Sequence, residues 1–237
     1  MRMRKKKNGA KRLLQCEHLL YRHEGEPMVD PSCVFSKSKA PIFLEIGAGK
    51  GGFARQMARM NPEVCYFAME RVSDCVVLAA EAAEAENCGE NLRFVIDTAD
   101  NLPLIFANNT VDKVFLNFSD PWSKKGYAKR RLTHRRYLSL YLSLMKEGAT
   151  LTFKTDNVGL FDFTLEEIEA VGLKPVKLTR DLHASEFSSG NVMTEYEKNF
   201  TEQGMKINMV QIEKPKGYVP VINDDFRQRP VSDEDNS

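Results

Sequence analysis

Short apolar runs alternate with helical patterns along this chain. The runs at 42–46 (IFLEI), 65–69 (CYFAM), 92–96 (LRFVI), 111–118 (VDKVFLNF) and 149–153 (ATLTF) have the length and composition of strands. Between them, Phe53, Met57 and Met60 fall at i, i+4 and i+7, as do Tyr137, Tyr141 and Leu144, and Phe161, Leu165 and Ile168. Each set reads as the core-facing stripe of a helix. The segment SDCVVLAAEAAEAE consists largely of strong helix formers. This alternation predicts an α/β fold with a mostly parallel, doubly wound sheet, parallel over its first five strands, whose ligands lie at the strands' carboxyl ends. After the Phe161 helix the pattern changes. PVKLTRDL and KINMVQIEK are strand-like, separated by a polar loop and the helical TEYEKNFTEQG, and are expected to complete the sheet as an antiparallel pair.

Composition narrows the functional classes. With 237 residues, 42% of them apolar and 28% charged, the chain is long enough and apolar enough to build one sizeable core. One domain over 40–215 is expected, flanked by a basic arm at 1–39 and a loose polar tail at 216–237. No apolar run approaches the roughly 20 residues that span a bilayer. Gln15, Glu17 and His18 interrupt the apolar core that a signal peptide needs, so a cytoplasmic protein without a membrane partner is expected. The five cysteines are odd in number and lack CxxC spacing, which predicts neither a disulfide framework nor a metal site. Monomer and homodimer both stay open.

Charge changes the picture. The net charge of +1 averages over strong asymmetry: seven of the first twelve residues are Lys or Arg, as are seven of the thirteen at 124–136, while the tail SDEDN is acidic. Two basic blocks in a neutral protein, one of them abutting a loop dense in candidate chemistry, point to nucleic acid.

LEIGAGKGGF follows the first strand and opens a helix, so Gly47, Gly49 and Gly52 satisfy GxGxxG, and Glu70 ends the next strand at the spacing of a ribose-binding acid. A purely structural turn is the plain alternative. Lys50 is followed by Gly51 instead of Ser or Thr, which excludes a P-loop. Between NAD and S-adenosylmethionine, the position of Glu45 decides. A carboxylate directed into the crevice two residues before Gly47 suits an ammonium and a sulfonium, and repels a pyrophosphate. Asp97, at the end of the third strand, is placed to accept from an adenine amine, with Asp100 as its rival. Asp120 ends the fourth strand and is followed by Pro121, Trp122 and the cations Lys124, Lys125, Lys129, Arg130 and Arg131. Trp122 and Tyr127, interleaved with those cations, either stack on a base or pack against the sheet rim. Asp156 is a candidate substrate acid or a helix N-cap, and Thr194 with Glu197 three residues on also reads as a capping box. His134 and His183 are not needed as acid-base groups in this scheme.

EIGAGKG, the acid Glu70, NFSDPWSKK with its trailing KRR, FKTDN at 153–157 and MTEYE at 193–197 together resemble the bacterial tRNA (guanine-N7)-methyltransferase family, TrmB. The resemblance implies a Rossmann-like class I S-adenosylmethionine-dependent methyltransferase fold. It also implies methyl transfer to N7 of a guanine in the variable loop of tRNA, releasing S-adenosylhomocysteine without a metal. Carried over residue by residue, Gly47, Gly49, Glu45, Glu70, Asp97 and Asp120 form the cofactor site. Lys124, Asp156, Thr194, Glu195, Tyr196 and Glu197 engage the substrate, and Lys125, Lys129, Arg130 and Arg131 face the RNA. Ser123 departs from the family's usual PWPKK and bears on the rigidity of that loop. The rival reading is an amino-group methyltransferase on nucleic acid or protein, since SDPW loosely resembles a (D/N)PP(Y/F/W) loop. A nicotinamide-dependent oxidoreductase leaves Glu45 and the basic loop without a place, and a non-catalytic RNA-binding module explains only the cations.

Guanine N7 carries an in-plane lone pair and no proton, so its methylation needs no general base and the enzyme's work is alignment. Asp120 is the residue expected to stabilise the positive charge that develops on the purine. Glu70 is expected to bridge the ribose hydroxyls, and Asp156 to accept from guanine N1 and N2.

Overall fold

The structure is a computed structural model that describes residues 8–220, apart from 36 and 38 and the side chain of Lys125. Seven strands are formed: β1 (Ile42–Ile46), β2 (Cys65–Glu70), β3 (Leu92–Ile96), β4 (Val111–Asn117), β5 (Met145–Thr155), β6 (Lys177–Thr179) and β7 (Asn208–Glu213). They make one sheet in the order β3-β2-β1-β4-β5-β7-β6. The first five are parallel, whereas β7 runs antiparallel to both β5 and β6, as the sequence pattern predicts. Strand order reverses between β1 and β4, and the crevice at that point is where a doubly wound sheet takes its ligand.

The helices are α1 (Gly9–Gln15), α2 (Gly52–Met60), α3 (Ser73–Ala85), α4 (Arg135–Leu144), α5 (Val158–Ala170) and α6 (Glu195–Glu202). Each face of the sheet has its own core. Ile42, Leu44 and Ile46 of β1 pack with Tyr141 of α4 and Phe161 of α5 on one side, while Phe43 packs with Phe53 of α2 and Ala80 of α3 on the other. Both faces being covered, β1 is apolar at every position except Glu45. Of the three helical stripes, one is shorter than expected. Met60 is 66% exposed because it is the last residue of α2, where the chain leaves the helix at Asn61.

Residues 8–35, read from the sequence as part of an arm, pack on the body. Leu13, Cys16 and Leu19 are buried in the core that α2 and α3 form, and Arg12 Nε and Nη2 donate to Glu81 at 2.6 Å each. Tyr21 N donates to Phe94 O at 2.8 Å, which lays this segment along the edge of β3. The basic run at 1–7 and the tail from 221 lie outside the described residues. Among the described residues, no helix is long and apolar enough to cross a membrane.

Gly51 carries a packing role that the GxGxxG spacing overlooks. Its φ is +70°, and a Cβ there would lie 2.9 Å from both Ala79 Cβ and the Phe94 ring. Gly51→Ala is therefore expected to destabilise the protein by about 3 kcal/mol, combining left-handed backbone strain with overpacking. Urea unfolding measures this; a midpoint equal to wild type would show that α2 shifts freely on α3.

Candidate active site

The loop after β1 is pinned to β2 by two hydrogen bonds, from Gly47 N and Ala48 N to Met69 O at 2.9 and 3.0 Å. Gly49 N then donates to Glu70 Oε2 at 3.0 Å, and Val72 N donates to Glu70 Oε1 at 2.9 Å. Glu70 is thus held rigid at the strand end, with lone pairs left on each oxygen for further donors. Gly49, at φ +56°, has open space where a side chain would stand. A backbone cradle beside an oriented carboxylate results.

Glu45 does not open directly into this crevice. It is 2% exposed, with Asn117 Nδ2 donating to its Oε1 at 2.9 Å and the Tyr66 hydroxyl donating to its Oε2 at 3.5 Å. Burial raises its pKa to about 7, against the hydrogen bond from Asn117 and the nearby charge of Lys154. On β1 the residue at 45 lies on the same face as Phe43, which packs in the α2/α3 core. Asn117 is the group that extends its reach. Because the Asn117 amide turns its nitrogen to Glu45, its Oδ1 points elsewhere, and that atom is buried without a hydrogen-bond partner. Ser119 Oγ, two residues on, is likewise buried and unpartnered. Two orphaned polar atoms at the end of β4 mark a place for a polar ligand.

Beyond β3, Asp97 accepts from Thr98 N at 2.7 Å and from Asn101 Nδ2 at 2.8 Å, both on Oδ1, while His23 Nε2 lies 2.9 Å from its Oδ2. Asp100 is turned toward α4, paired with Arg136 at 3.2 Å and accepting from the Tyr137 hydroxyl at 3.0 Å. Of the two, Asp97 stays beside the crevice. A cavity of about 300 Å³ lies there, lined by residues 20–23 of the N-terminal segment and by Val95, Ile96 and Asp97.

Asp120 and Asp156 follow the adjacent parallel strands β4 and β5. Asp120, whose side chain is 72% exposed, has Arg71 4.0 Å away. Asp156 follows β5 and accepts no hydrogen bond among the described residues, because the next residue, Asn157, caps α5 by accepting from Leu160 N at 2.8 Å. Burial, and after it the charges of Asp156 and Asp120, raise the pKa of Tyr196 above its ordinary value. The ring of Tyr196 is set by Phe118 at 5.1 Å and Phe200 at 4.3 Å between centroids.

Thr194 and Glu197 form the capping box at the start of α6, with Glu197 N donating to Thr194 Oγ1 at 2.9 Å. Glu197 is fully buried and pairs with Lys154 at 2.7 Å, so its carboxylate faces the protein. Glu195 is exposed and lies over the first turn of α2, where a Cβ on Gly52 would come within 3.4 Å of Glu195 Cγ. Burial lowers the pKa of Lys154, opposed by Glu197 and Glu45. Sequence reading gave Lys154 no role.

The basic loop divides in two. Arg131 Nε donates to Pro121 O at 2.9 Å and its guanidinium covers Phe163 at 4.3 Å, so it braces the loop. Arg130 packs its guanidinium over Trp122 and Tyr127, at 5.2 and 4.7 Å, and the Trp122 ring meets that of Tyr127 edge-on at 5.9 Å. Lys124 and Lys129 are exposed, with Lys129 O accepting from Arg136 Nε at 2.9 Å, and the Lys125 side chain lies outside those described. Trp122 holds φ +41°, with Arg130 covering its ring and Arg131 Nη2 donating to its carbonyl oxygen at 3.2 Å.

Residues 39–210 match a family described as "Putative methyltransferase". Among solved structures, the 16S rRNA methyltransferase KamB superposes with a TM-score of 0.58 at 14% identity, over 79% of this chain and 96% of that one. An antibiotic-related methyltransferase gives 0.55 at 17% identity, over 75% and 88% of the two chains. A variant of the 16S rRNA (adenine(1408)-N(1))-methyltransferase of Catenulisporales acidiphilia, solved with its cosubstrate SAM, gives 0.53 at 16% identity, over 79% and 91%. These likenesses establish the class I methyltransferase fold. The family match runs from before β1 into β7 and so takes in the glycine loop and every strand end around the crevice: the chain belongs to this family of S-adenosylmethionine-dependent methyltransferases, the TrmB type its motifs resemble.

Proposed function

We propose that the protein transfers a methyl group from S-adenosylmethionine to N7 of a guanine in the variable loop of tRNA. The observation that carries this reading is that Asp120 and Asp156 follow the carboxyl ends of the adjacent strands β4 and β5, with Asp120 largely exposed and both charges acting on Tyr196. Two carboxylates whose acceptor capacity is largely unspent suit the N1 and N2 donors on one edge of guanine. The exposed cations at the rim suit the phosphates around such a base.

The residues present fit the methyl donor. Asn117 Oδ1 is an unspent buried acceptor for its ammonium, with the Glu45 carboxylate behind it. Glu70 keeps lone pairs for two ribose hydroxyls, and Asp97 lies at the end of β3 for the adenine. S-adenosylmethionine supplies an electrophilic methyl group on a sulfonium. The chain's own part is to align and to stabilise: Asp156 and Tyr196 hold the base edge, and Asp120 offsets the positive charge that builds on the purine. N7 carries no proton, so no side chain has to remove one.

A survey of acceptors tests the reading. With methyl-labelled S-adenosylmethionine and unmodified tRNA, rRNA, duplex DNA and protein offered in parallel, label is expected in tRNA. Label in protein or rRNA with tRNA blank would refute it. Lys124→Ala is expected to weaken tRNA binding and reduce the slope of log affinity against log salt by about one, with S-adenosylmethionine affinity unchanged. An unchanged slope in a filter-binding titration would remove Lys124 from the RNA face.

A further inference from the structure

We propose that Lys154 is a positioning residue that clamps the loop 191–197 over the cofactor end of the sheet and thereby presents Glu195 and Tyr196 to the acceptor. The inference rests on the reading of this crevice as a methyl-donor and RNA-base site. Lys154 is buried near the end of β5, and its ammonium donates to Asn191 Oδ1 at 2.9 Å, Val192 O at 2.9 Å and Glu197 Oε2 at 2.7 Å. An ammonium has three N–H donors, so all of them go to this one short segment and none is left for a ligand. A buried ion pair stabilises a fold no better than well-packed apolar residues do. Its geometric effect is what distinguishes it here.

The loop lies between the two halves of the site. On one side, Gln56 Nε2 of α2 donates to Met193 O at 3.2 Å, so the loop rests on the helix that the glycine loop opens into. On the other, the Tyr196 ring packs against Phe118, which follows β4 and lies two residues before Asp120, at 5.1 Å between centroids. Lys154 itself pairs in register with Asn117, the residue that holds Glu45. His183 Nε2, 3.2 Å from Glu197 Oε1, adds a second tie to the same carboxylate. A single side chain on β5 therefore sets the separation between the donor cradle and the acceptor-facing residues.

Two variants of the full chain test this. Lys154→Met keeps the length of the stem, and Lys154→Met with Glu197→Gln leaves no charge buried alone while retaining a residue able to complete the capping box. In Lys154→Met, amide hydrogen exchange at 191–197 is expected to quicken about tenfold or more, with β1 and β4 unchanged. The KM for tRNA is expected to rise about tenfold or more, with S-adenosylmethionine affinity held within about threefold. The double variant is expected to regain most of the wild-type unfolding midpoint without regaining the KM. Unchanged exchange at 191–197, an unchanged KM despite faster exchange, or recovery of KM together with stability would each overturn the clamp. If the wild-type protein methylates no RNA, the functional reading fails on its own, and the exchange data still judge the clamp.

Discussion

Asp120→Ala is expected to lower kcat for tRNA methylation by about a hundredfold or more, the loss seen when a group aimed at developing charge is removed. The effect is assigned to kcat because, in the proposed reaction, the base beside the carboxylate is neutral before transfer and cationic after it. Its surroundings make the variant clean to interpret. The side chain is 72% exposed with Arg71 4.0 Å away, so its loss strands no buried partner, and stability should change by less than about 0.5 kcal/mol. Asp120→Asn, which keeps an acceptor oxygen and loses the charge, is expected to fall between wild type and the alanine variant. Single-turnover kinetics at saturating donor and tRNA measure the step. Near-normal turnover in Asp120→Ala with both ligands bound would move the electrostatic role to another group.

Glu45→Gln is expected to have opposite effects on stability and on donor binding. In the folded protein the Glu45 pKa is about 7, raised by burial above its ordinary 4.5. The folded state thus holds this proton more tightly than the unfolded state, so the contribution is full below about pH 4.5 and is lost as pH rises through about 7. Wild type should lose stability across that window relative to the glutamine variant. The difference reaches on the order of 3 kcal/mol at pH 8 and shrinks toward zero at pH 4.5. Affinity for S-adenosylmethionine should fall about tenfold or more in the same variant, because the charge behind the Asn117 amide is gone. Denaturant titrations at pH 5 and pH 8, with calorimetry of donor binding, check both halves. A stability difference independent of pH would mean that Glu45 is ionised in the fold throughout this range.

The parallel strands and the acids at their ends were legible because each depends on local pattern. IFLEI, CYFAM and LRFVI are short apolar runs with flanking turn residues, and in a parallel sheet the functional acids have to appear directly after such runs. The partners of those acids were not legible. Lys154 stands in FKTDN with nothing nearby to explain a lysine in a buried strand; its partners Asn191 and Glu197 lie in the loop before α6 and in the first turn of α6, which return to the sheet from far along the chain. Arg131 belongs to a basic run, and its contacts with the Phe163 ring and the Pro121 carbonyl arise only in the fold. Asn117 was visible as a strand residue, yet its value depends on which atom of its amide is spent on Glu45. The packing of residues 8–35 on the body was not legible for the same reason. The segment's charge is obvious in sequence, whereas the burial of Leu13, Cys16 and Leu19 depends on a surface offered by α2, α3 and β3.

The proposed reaction methylates one atom, the N7 of guanine. Mild borohydride reduction followed by aniline breaks RNA at guanines methylated on N7 and spares guanines methylated elsewhere. Unmodified tRNA treated with the wild-type protein and S-adenosylmethionine is predicted to give one new cut, in the variable loop, that depends on the methyl donor. Methyl incorporation into tRNA without any such cut would place the group on an exocyclic amine or another ring nitrogen, and would contradict the account.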